Sequence, residues 1–128
     1  MSLAPRSTQI DRDKYPSDPW ILEMFEGWYD PCPIDYHEGD SDALDQYLWP
    51  DRTFVNPPYS NPLPFVQKAI ASTQELGSMV VMLLKHDSST EWFRLIHEAG
   101  GHIMMINGRL KHGTGRSAPF PSILVVFS

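Results

Sequence analysis

The stretch that decides the fold of this chain is Arg52–Tyr59, which reads Arg-Thr-Phe-Val-Asn-Pro-Pro-Tyr. Its first four residues are a β-branched and aromatic run of the kind that forms a buried strand. The strand must end near Asn56, because the two prolines that follow fix φ and remove two backbone donors. The sequence therefore predicts a rigid corner at the carboxyl end of a strand, where open α/β sheets bind their ligands.

The residues of this corner suit a planar base that carries an exocyclic amino group. Asn56 offers an amide oxygen, Pro57 a backbone carbonyl and Tyr59 an aromatic face on which a base can stack. Pro58 keeps the corner rigid. A proline-rich turn that only ends a strand would contain the same residue types, so the motif alone leaves both interpretations open.

The segments around the corner predict alternating helices and strands. Apolar periodicity and end signals favour helices over residues 19–26, 62–76 and 88–99. Short apolar runs favour strands over residues 28–29, 52–55, 79–84, 102–106 and 122–127. We expect Asp18 to cap the first helix, Ser88 or Ser89 to cap the third, and Gly77 to end the second.

This order of elements predicts one α/β domain over residues 15–128 behind a flexible tail at residues 1–14. We expect a compact, mostly parallel sheet with an antiparallel C-terminal edge strand and helices on both faces. The run 79–84 is typical of a central parallel strand buried on both faces, and 102–106 is predicted to be buried as well.

Composition narrows the class of protein further. The longest apolar runs are too short to span a bilayer, so we expect no membrane partner. A single cysteine, Cys32, suits a reducing cytoplasm, and the five scattered histidines predict no metal site. Residues 1–84 carry five basic and thirteen acidic side chains, whereas residues 85–128 carry five basic and three acidic. This uneven charge distribution suits an acidic protein that contacts phosphates through one small basic region.

Five ordered segments give the pattern its specificity. They are Asp18–Ile21, Tyr29–Cys32, Asp42–Leu44 with Trp49 after it, Phe54–Ser60, and Gly108–Lys111 followed by Ala118–Ser122. In order and approximate spacing they resemble the short, phage-type Dam family of DNA N6-adenine methyltransferases, which has no separate target-recognition domain. The resemblance implies a reduced Rossmann-like methyltransferase sheet.

The resemblance also implies S-adenosyl-L-methionine as the methyl donor. Asp30 and Pro31 would lie at the cofactor motif, Asp18 and Pro19 would border the methionine end, and Asp42 would lie near the adenine ring. Short acidic side chains at strand ends can accept hydrogen bonds from a cationic cofactor. Asp18 could equally be only a helix cap, and Asp42 could only begin a helical turn.

The mechanism that the resemblance implies uses Asn56, Pro57, Pro58 and Tyr59 on an adenine flipped out of DNA. Arg109, Lys111 and Arg116 fall in a glycine-containing basic loop that suits DNA phosphates. Lys85 follows the central strand and should share an edge of the sheet with Asn56. A solvated strand end explains Lys85 as well as a substrate contact does. The basic loop is the better candidate for DNA phosphates, although exposed charged loops are often only solvated.

Two features of the chain keep alternatives open. No Gly-x-Gly loop follows Pro31, and residues 30–54 are too few for two further full β-α units. The first alternative is a degenerate methyltransferase fold that binds nucleic acid or cofactor without catalysis. Other substrates with an amino group (cytosine N4, RNA or a protein glutamine) and a purely structural viral protein are further alternatives. The reduced size is compatible with a homodimer, and a viral origin would place the protein in the host cytoplasm.

Overall fold

The computed structural model describes residues 18–32, 44, 47–111 and 120–128. Those residues form three helices and four strands. In chain order they are α1 (Pro19–Met24), β1 (Thr53–Val55), α2 (Leu63–Leu76), β2 (Val80–Lys85), α3 (Glu91–Glu98), β3 (His102–Met105) and β4 (Ser122–Phe127). The predicted tail at residues 1–14 and the first residues of the predicted domain lie outside the described residues.

The four strands form one mixed sheet in the order β1-β2-β4-β3. β1 and β2 pair in parallel, whereas β4 is antiparallel to both of its neighbours. The prediction of a mostly parallel sheet was therefore wrong, because two of these three pairings are antiparallel. The C-terminal strand is not at the edge either. β4 is apolar and buried along nearly its whole length, so it occupies the interior of the sheet and leaves β3 at the edge.

A further parallel bridge extends the sheet beyond β1. Tyr29 pairs with Thr53, and its carbonyl accepts the Phe54 N–H at 2.9 Å. The Tyr29 N–H in turn donates to the Arg52 carbonyl at 3.0 Å. The strand predicted at residues 28–29 thus becomes a single bridged residue beside β1, and it runs in the same direction as β1.

Helices cover the sheet on both faces, as predicted. On one face, α2 and α3 pack against side chains that alternate along the strands, including Val55, Met82 and Val125. On the other face, Ile21 of α1 packs with Phe54, Val81, Leu83, Leu110 and Leu124. β2 lies between the two layers and is buried along almost its whole length, which confirms the prediction of a central buried strand.

Two local predictions were wrong. β3 is an exposed edge strand and not a buried one: Met105 is 70% exposed, and Ile103 is the residue of this strand that packs on the core. The third helix is capped by Thr90, whose side chain accepts the Phe93 N–H at 3.3 Å. Ser89 instead donates to Asp87 in the preceding turn. Gly77 does end α2, in the left-handed conformation at φ 71°.

No helix in the described ranges is long and apolar enough to cross a membrane. Within the same ranges, no group of three or more histidine, cysteine, aspartate or glutamate side chains could hold a metal ion.

Candidate active site at the carboxyl edge of the sheet

Strand direction brings the predicted functional segments to one edge of the sheet. The carboxyl ends of β1, β2 and β3 lie at the same edge, because β4 is antiparallel to both β2 and β3. The residue after Tyr29 points to this edge as well, since the Tyr29–Thr53 bridge is parallel. The segments beginning at Asp30, Asn56, His86 and Ile106 therefore leave the sheet on the same side.

The Asn-Pro-Pro-Tyr corner joins β1 to α2. Asn56 is only 5% exposed, whereas Tyr59 is half-buried and reaches the surface. The Pro58 carbonyl accepts the Asn61 N–H at 3.3 Å and closes the turn before α2 begins. The Asn56 Oδ1 atom is buried and accepts no hydrogen bond from the described residues, although Asn56 makes other contacts. The corner thus holds an amide and an aromatic ring in fixed positions.

Phe120 and Lys85 complete the surroundings of Tyr59. The Tyr59 and Phe120 rings meet edge to face, with centroids 4.7 Å apart and planes at 71°. Lys85 Nζ lies 5.8 Å from the centroid of the Phe120 ring, within the range of a cation–π contact. Lys85 also lies 4.0 Å from an Asp87 carboxylate oxygen. The Phe120 ring therefore lies in contact both with Tyr59 and with a cationic side chain from the neighbouring strand.

Lys85 shares the edge of Asn56, as predicted. The next residue, His86, lies at the same edge but contacts different residues. The His86 ring stacks on Phe93 of α3 with centroids 6.1 Å apart, and its backbone N–H donates to the Pro121 carbonyl at 2.9 Å. His86 thus supports the junction between β2, α3 and the start of β4. Lys85 is the residue of this pair that lies near the aromatic corner.

Asp30 and Pro31 come directly after Tyr29, the residue that is bridged to β1. Asp30 is exposed, and its Oδ1 accepts the Cys32 backbone N–H at 2.9 Å. Pro31 is buried, and Cys32 is 1% exposed. Asp30 Oδ1 therefore shapes the turn before Cys32, and Asp30 itself lies at the surface of the protein.

Asp18 and Pro19 are fixed by the packing of α1 on β1. Phe25 stacks on Phe54 with ring centroids 4.6 Å apart and planes at 13°. Asp18 occupies the N-cap position as predicted, but its side chain makes no capping hydrogen bond. Instead, Asp18 Oδ2 accepts the backbone N–H of Lys111 at 2.9 Å. The start of α1 is thereby joined to the segment that follows β3.

The described part of the basic loop is the segment 106–111. Leu110 is 8% exposed and packs in the cluster on the α1 face of the sheet, whereas Arg109 and Lys111 are exposed. Gly108 adopts φ 75°, a conformation that side chains rarely tolerate. The two cations therefore flank a buried anchor at the rim of the edge described above.

Strand direction places the Asn-Pro-Pro-Tyr corner, Asp30, Pro31 and Lys85 at one edge of the sheet. A separate hydrogen bond joins Asp18 to Lys111, and Pro19 and Arg109 lie next to this pair in the chain. Asp42 and Arg116 lie outside the described residues, so their predicted roles remain predictions. Three features were missed from the sequence: Phe120 beside Tyr59, the buried Leu110, and the bond between Asp18 and Lys111. A lone leucine between two cations was an available signal for the anchor, whereas the other two contacts join residues far apart in the chain.

One carboxylate near the site has a shifted pKa. Hydrogen bonds from the hydroxyl and the backbone N–H of Ser89 lower the pKa of Asp87 from its ordinary value of 3.8, with a smaller contribution from the positive charge of Lys85. Asp87 therefore keeps its negative charge beside Lys85 at any pH near neutral.

Comparisons with known proteins point to one family. A family profile described as DNA N-6-adenine-methyltransferase (Dam) matches residues 18–119. A "DNA N-6-adenine-methyltransferase" of Haemophilus phage HP1 is 28% identical over 153 aligned positions, which cover 99% of this chain and 85% of the relative. A protein of the same description from Escherichia phage T1 is 27% identical over 112 positions, which cover 77% of this chain and 47% of the relative. No solved structure matches the chain significantly.

Proposed function

The chain belongs to the DNA N-6-adenine-methyltransferase (Dam) family, and from that premise we propose that it methylates N6 of a flipped adenine in DNA, with S-adenosyl-L-methionine as the methyl donor. The two phage relatives support the general activity, since both are described as DNA N-6-adenine-methyltransferases. The phage HP1 relative is matched over most of its length, whereas this chain spans about half of the phage T1 relative (47%).

One observation carries the proposal beyond the family. The Asp30-Pro31 segment follows the bridged residue Tyr29, and the Asn56-Pro57 segment follows β1, which runs parallel beside it. The Phe54 N–H donates to the Tyr29 carbonyl at 2.9 Å. Methyl transfer requires the donor and the acceptor to lie side by side within contact distance. Two neighbouring strand ends, one bearing an acidic turn and the other an amide and an aromatic ring, supply adjacent sites of the required chemistry.

On the base side, the corner provides acceptors for an amino group. The Asn56 side-chain oxygen and the Pro57 carbonyl accept the two N6 hydrogens of the adenine, and Tyr59 stacks on its ring. Hydrogen bonds from both N6 hydrogens withdraw the nitrogen lone pair from the ring and direct it towards the acidic turn. Positioning supplies most of the rate acceleration, because the corner is held rigid by Pro57 and Pro58.

The residues beside the corner fit the cofactor that the family implies. S-adenosyl-L-methionine supplies an electrophilic methyl group on a positively charged sulfur, together with amino and hydroxyl donors. Asp30 would accept from such donors with its exposed carboxylate, and Pro31 would lie beside it. Asp18 and Pro19 would border the methionine end, and Asp42 would contact the adenine end of the cofactor.

Lys85, Arg109, Lys111 and Arg116 would contact DNA phosphates around the flipped base. Support comes from the exposure of Arg109 and Lys111 and from the position of Lys85 near the Tyr59–Phe120 pair. Phosphate contacts of this kind fix the register of a protein on DNA without reading its sequence. We further propose that the protein acts in the cytoplasm of a host cell, and a homodimer remains a prediction.

The decisive experiment compares Asn56→Ala with Asn61→Ala. Both remove one asparagine amide from the same turn, but Asn56 is buried at the corner and Asn61 is exposed. Loss of an oriented hydrogen-bond partner of the reacting group lowers kcat by about 100- to 1,000-fold. We therefore expect Asn56→Ala to lose methylation of duplex DNA at this level, with Asn61→Ala close to the wild-type rate.

Methyl transfer should be followed with radiolabelled donor, and cofactor affinity by titration calorimetry. Unchanged cofactor binding in Asn56→Ala would assign the loss to the acceptor side. Turnover within tenfold of wild type in this variant would overturn the assigned mechanism. A wild-type protein that binds the cofactor and DNA but transfers no methyl group would favour the degenerate binding module instead.

A further inference from the structure

The hydrogen bond between Asp18 and Lys111 joins the start of α1 to the segment that follows β3. It spans 93 residues, and Asp18 Oδ2 lies 2.9 Å from the Lys111 backbone nitrogen. The carboxylate does not serve α1 itself, because the N–H groups of Ile21 and Leu22 donate to the Asp18 backbone carbonyl at 2.9 and 3.2 Å. Its side chain is therefore used to hold a distant segment.

The residue before Lys111 strengthens the same junction. Leu110 is 8% exposed and belongs to the apolar cluster that contains Ile21 of α1. One side chain and the next backbone N–H thus fasten the segment 106–111 to the first turn of α1. Arg109 and Lys111 lie on either side of Leu110 and are both exposed. The junction therefore determines where the Arg109 and Lys111 side chains lie on the surface of the protein.

We propose that Asp18 is a positioning residue that acts as a clasp on the basic segment, so that Arg109 and Lys111 are held ready for contact with DNA phosphates. This inference rests on the proposed function, because it takes DNA as the ligand of the two cations. Asp18 acts through Lys111 and does not itself contact the DNA. If the segment is already held in place before binding, less conformational entropy is lost when the DNA binds.

The negative charge of Asp18 and its hydrogen bond to Lys111 have opposite effects on the affinity for DNA. Variants can therefore separate the two effects. A carboxylate close to bound phosphates weakens DNA binding through repulsion, whereas the clasp strengthens it through order. Asp18→Asn removes the charge but keeps an oxygen that can accept the Lys111 N–H. Asp18→Ala removes both. Glu23→Ala removes an exposed negative charge from the same helix without touching the clasp.

The test measures amide exchange of Lys111 and the affinity of each protein for a fluorescent duplex without cofactor. We expect Asp18→Ala to exchange the Lys111 amide about tenfold faster than wild type and to bind DNA about three- to tenfold more weakly, the range of one hydrogen bond to a charged, partly exposed group. Asp18→Asn and Glu23→Ala should keep the wild-type exchange rate and bind DNA at least as tightly as wild type.

Salt dependence provides a second readout that a purely structural role would not change. Each lost phosphate contact lowers the slope of log affinity against log salt by about one. We expect a smaller slope in Asp18→Ala and the wild-type slope in Asp18→Asn. Equal affinity and slope in the two Asp18 variants would overturn the positioning role.

The failure of the clasp and the failure of the proposed function give different results. Equal Lys111 exchange in all four proteins would overturn the clasp, whatever the DNA affinity. Wild-type protein that fails to bind the duplex, with a protected Lys111 amide, would overturn the proposed function and the DNA role of the clasp together.

Discussion

Replacing Tyr59 separates the two contacts that its ring makes in the proposed mechanism. One is the stacking of the ring on the flipped adenine, and the other is the edge-to-face pair with Phe120 at 4.7 Å. Stacking of a base on an aromatic side chain contributes about 1–3 kcal/mol, whereas an aromatic pair inside the protein contributes about 0.5–1.5 kcal/mol. The first contribution exists only with DNA bound, and the second exists in the unliganded protein.

We therefore expect Tyr59→Ala to lower kcat/KM for DNA methylation by about 5- to 150-fold, which corresponds to the stacking contribution. The same variant should lose about 0.5–1.5 kcal/mol of unfolding free energy, the contribution of the Phe120 pair. Tyr59→Phe keeps the ring and is the matched control, so kcat/KM should stay close to wild type. Phe120→Ala should reproduce the stability loss, with a smaller effect on kcat/KM.

Steady-state methylation with radiolabelled donor and urea unfolding measure the two effects independently. A Tyr59→Ala protein with kcat/KM within twofold of wild type would refute the stacking role. A Tyr59→Phe protein as impaired as Tyr59→Ala would assign the effect to the phenol hydroxyl and not to the ring.

Two further predictions concern the scaffold around the site. An added Cβ at Gly101 would lie 2.9 Å from Ile96 Cγ2 and from Phe127 Cε1. Gly101→Ala should therefore lower the free energy of unfolding, measured with urea, by about 1–3 kcal/mol. The control variant Gln67→Ala, on the exposed face of α2, should stay near wild type. A midpoint unchanged by Gly101→Ala would argue against this close packing. Because Ser89 lowers the pKa of Asp87, the associated stability is present above the ordinary pKa of 3.8 and is lost as the pH falls through the lowered value. In a carbon-13 NMR titration, Ser89→Ala should raise the pKa of Asp87 towards 3.8, whereas Ser88→Ala should leave that pKa unchanged. If Asp87 has the same titration curve in both variants, Ser89 is not the cause of the lowered pKa.

Local sequence patterns predicted the elements well because each depends on neighbours in the chain. Pro57 and Pro58 end a strand wherever it lies, and Gly77 ends a helix through its own φ of 71°. The uninterrupted apolar run at 79–84 and the prolines at the corner likewise required no knowledge of the rest of the fold. The edge shared by Lys85 and Asn56 then follows from parallel strands.

Pairing order and exposure depended on the whole sheet. The burial of β4 between β2 and β3, and the exposure of β3, arise from competition among strands for the interior, which no single segment encodes. For the same reason, the helix-cap pattern at Asp18 identified its position but not the partner of its side chain.

By itself, the sequence of this protein determined where the chain turns and which residues could contact a base, because φ restrictions and side-chain chemistry are local properties. Only the tertiary structure decided that Phe120 lies against Tyr59 and that Asp18 holds Lys111 across 93 residues. Such contacts form when packing brings distant segments together, and their partners are therefore set by the fold as a whole.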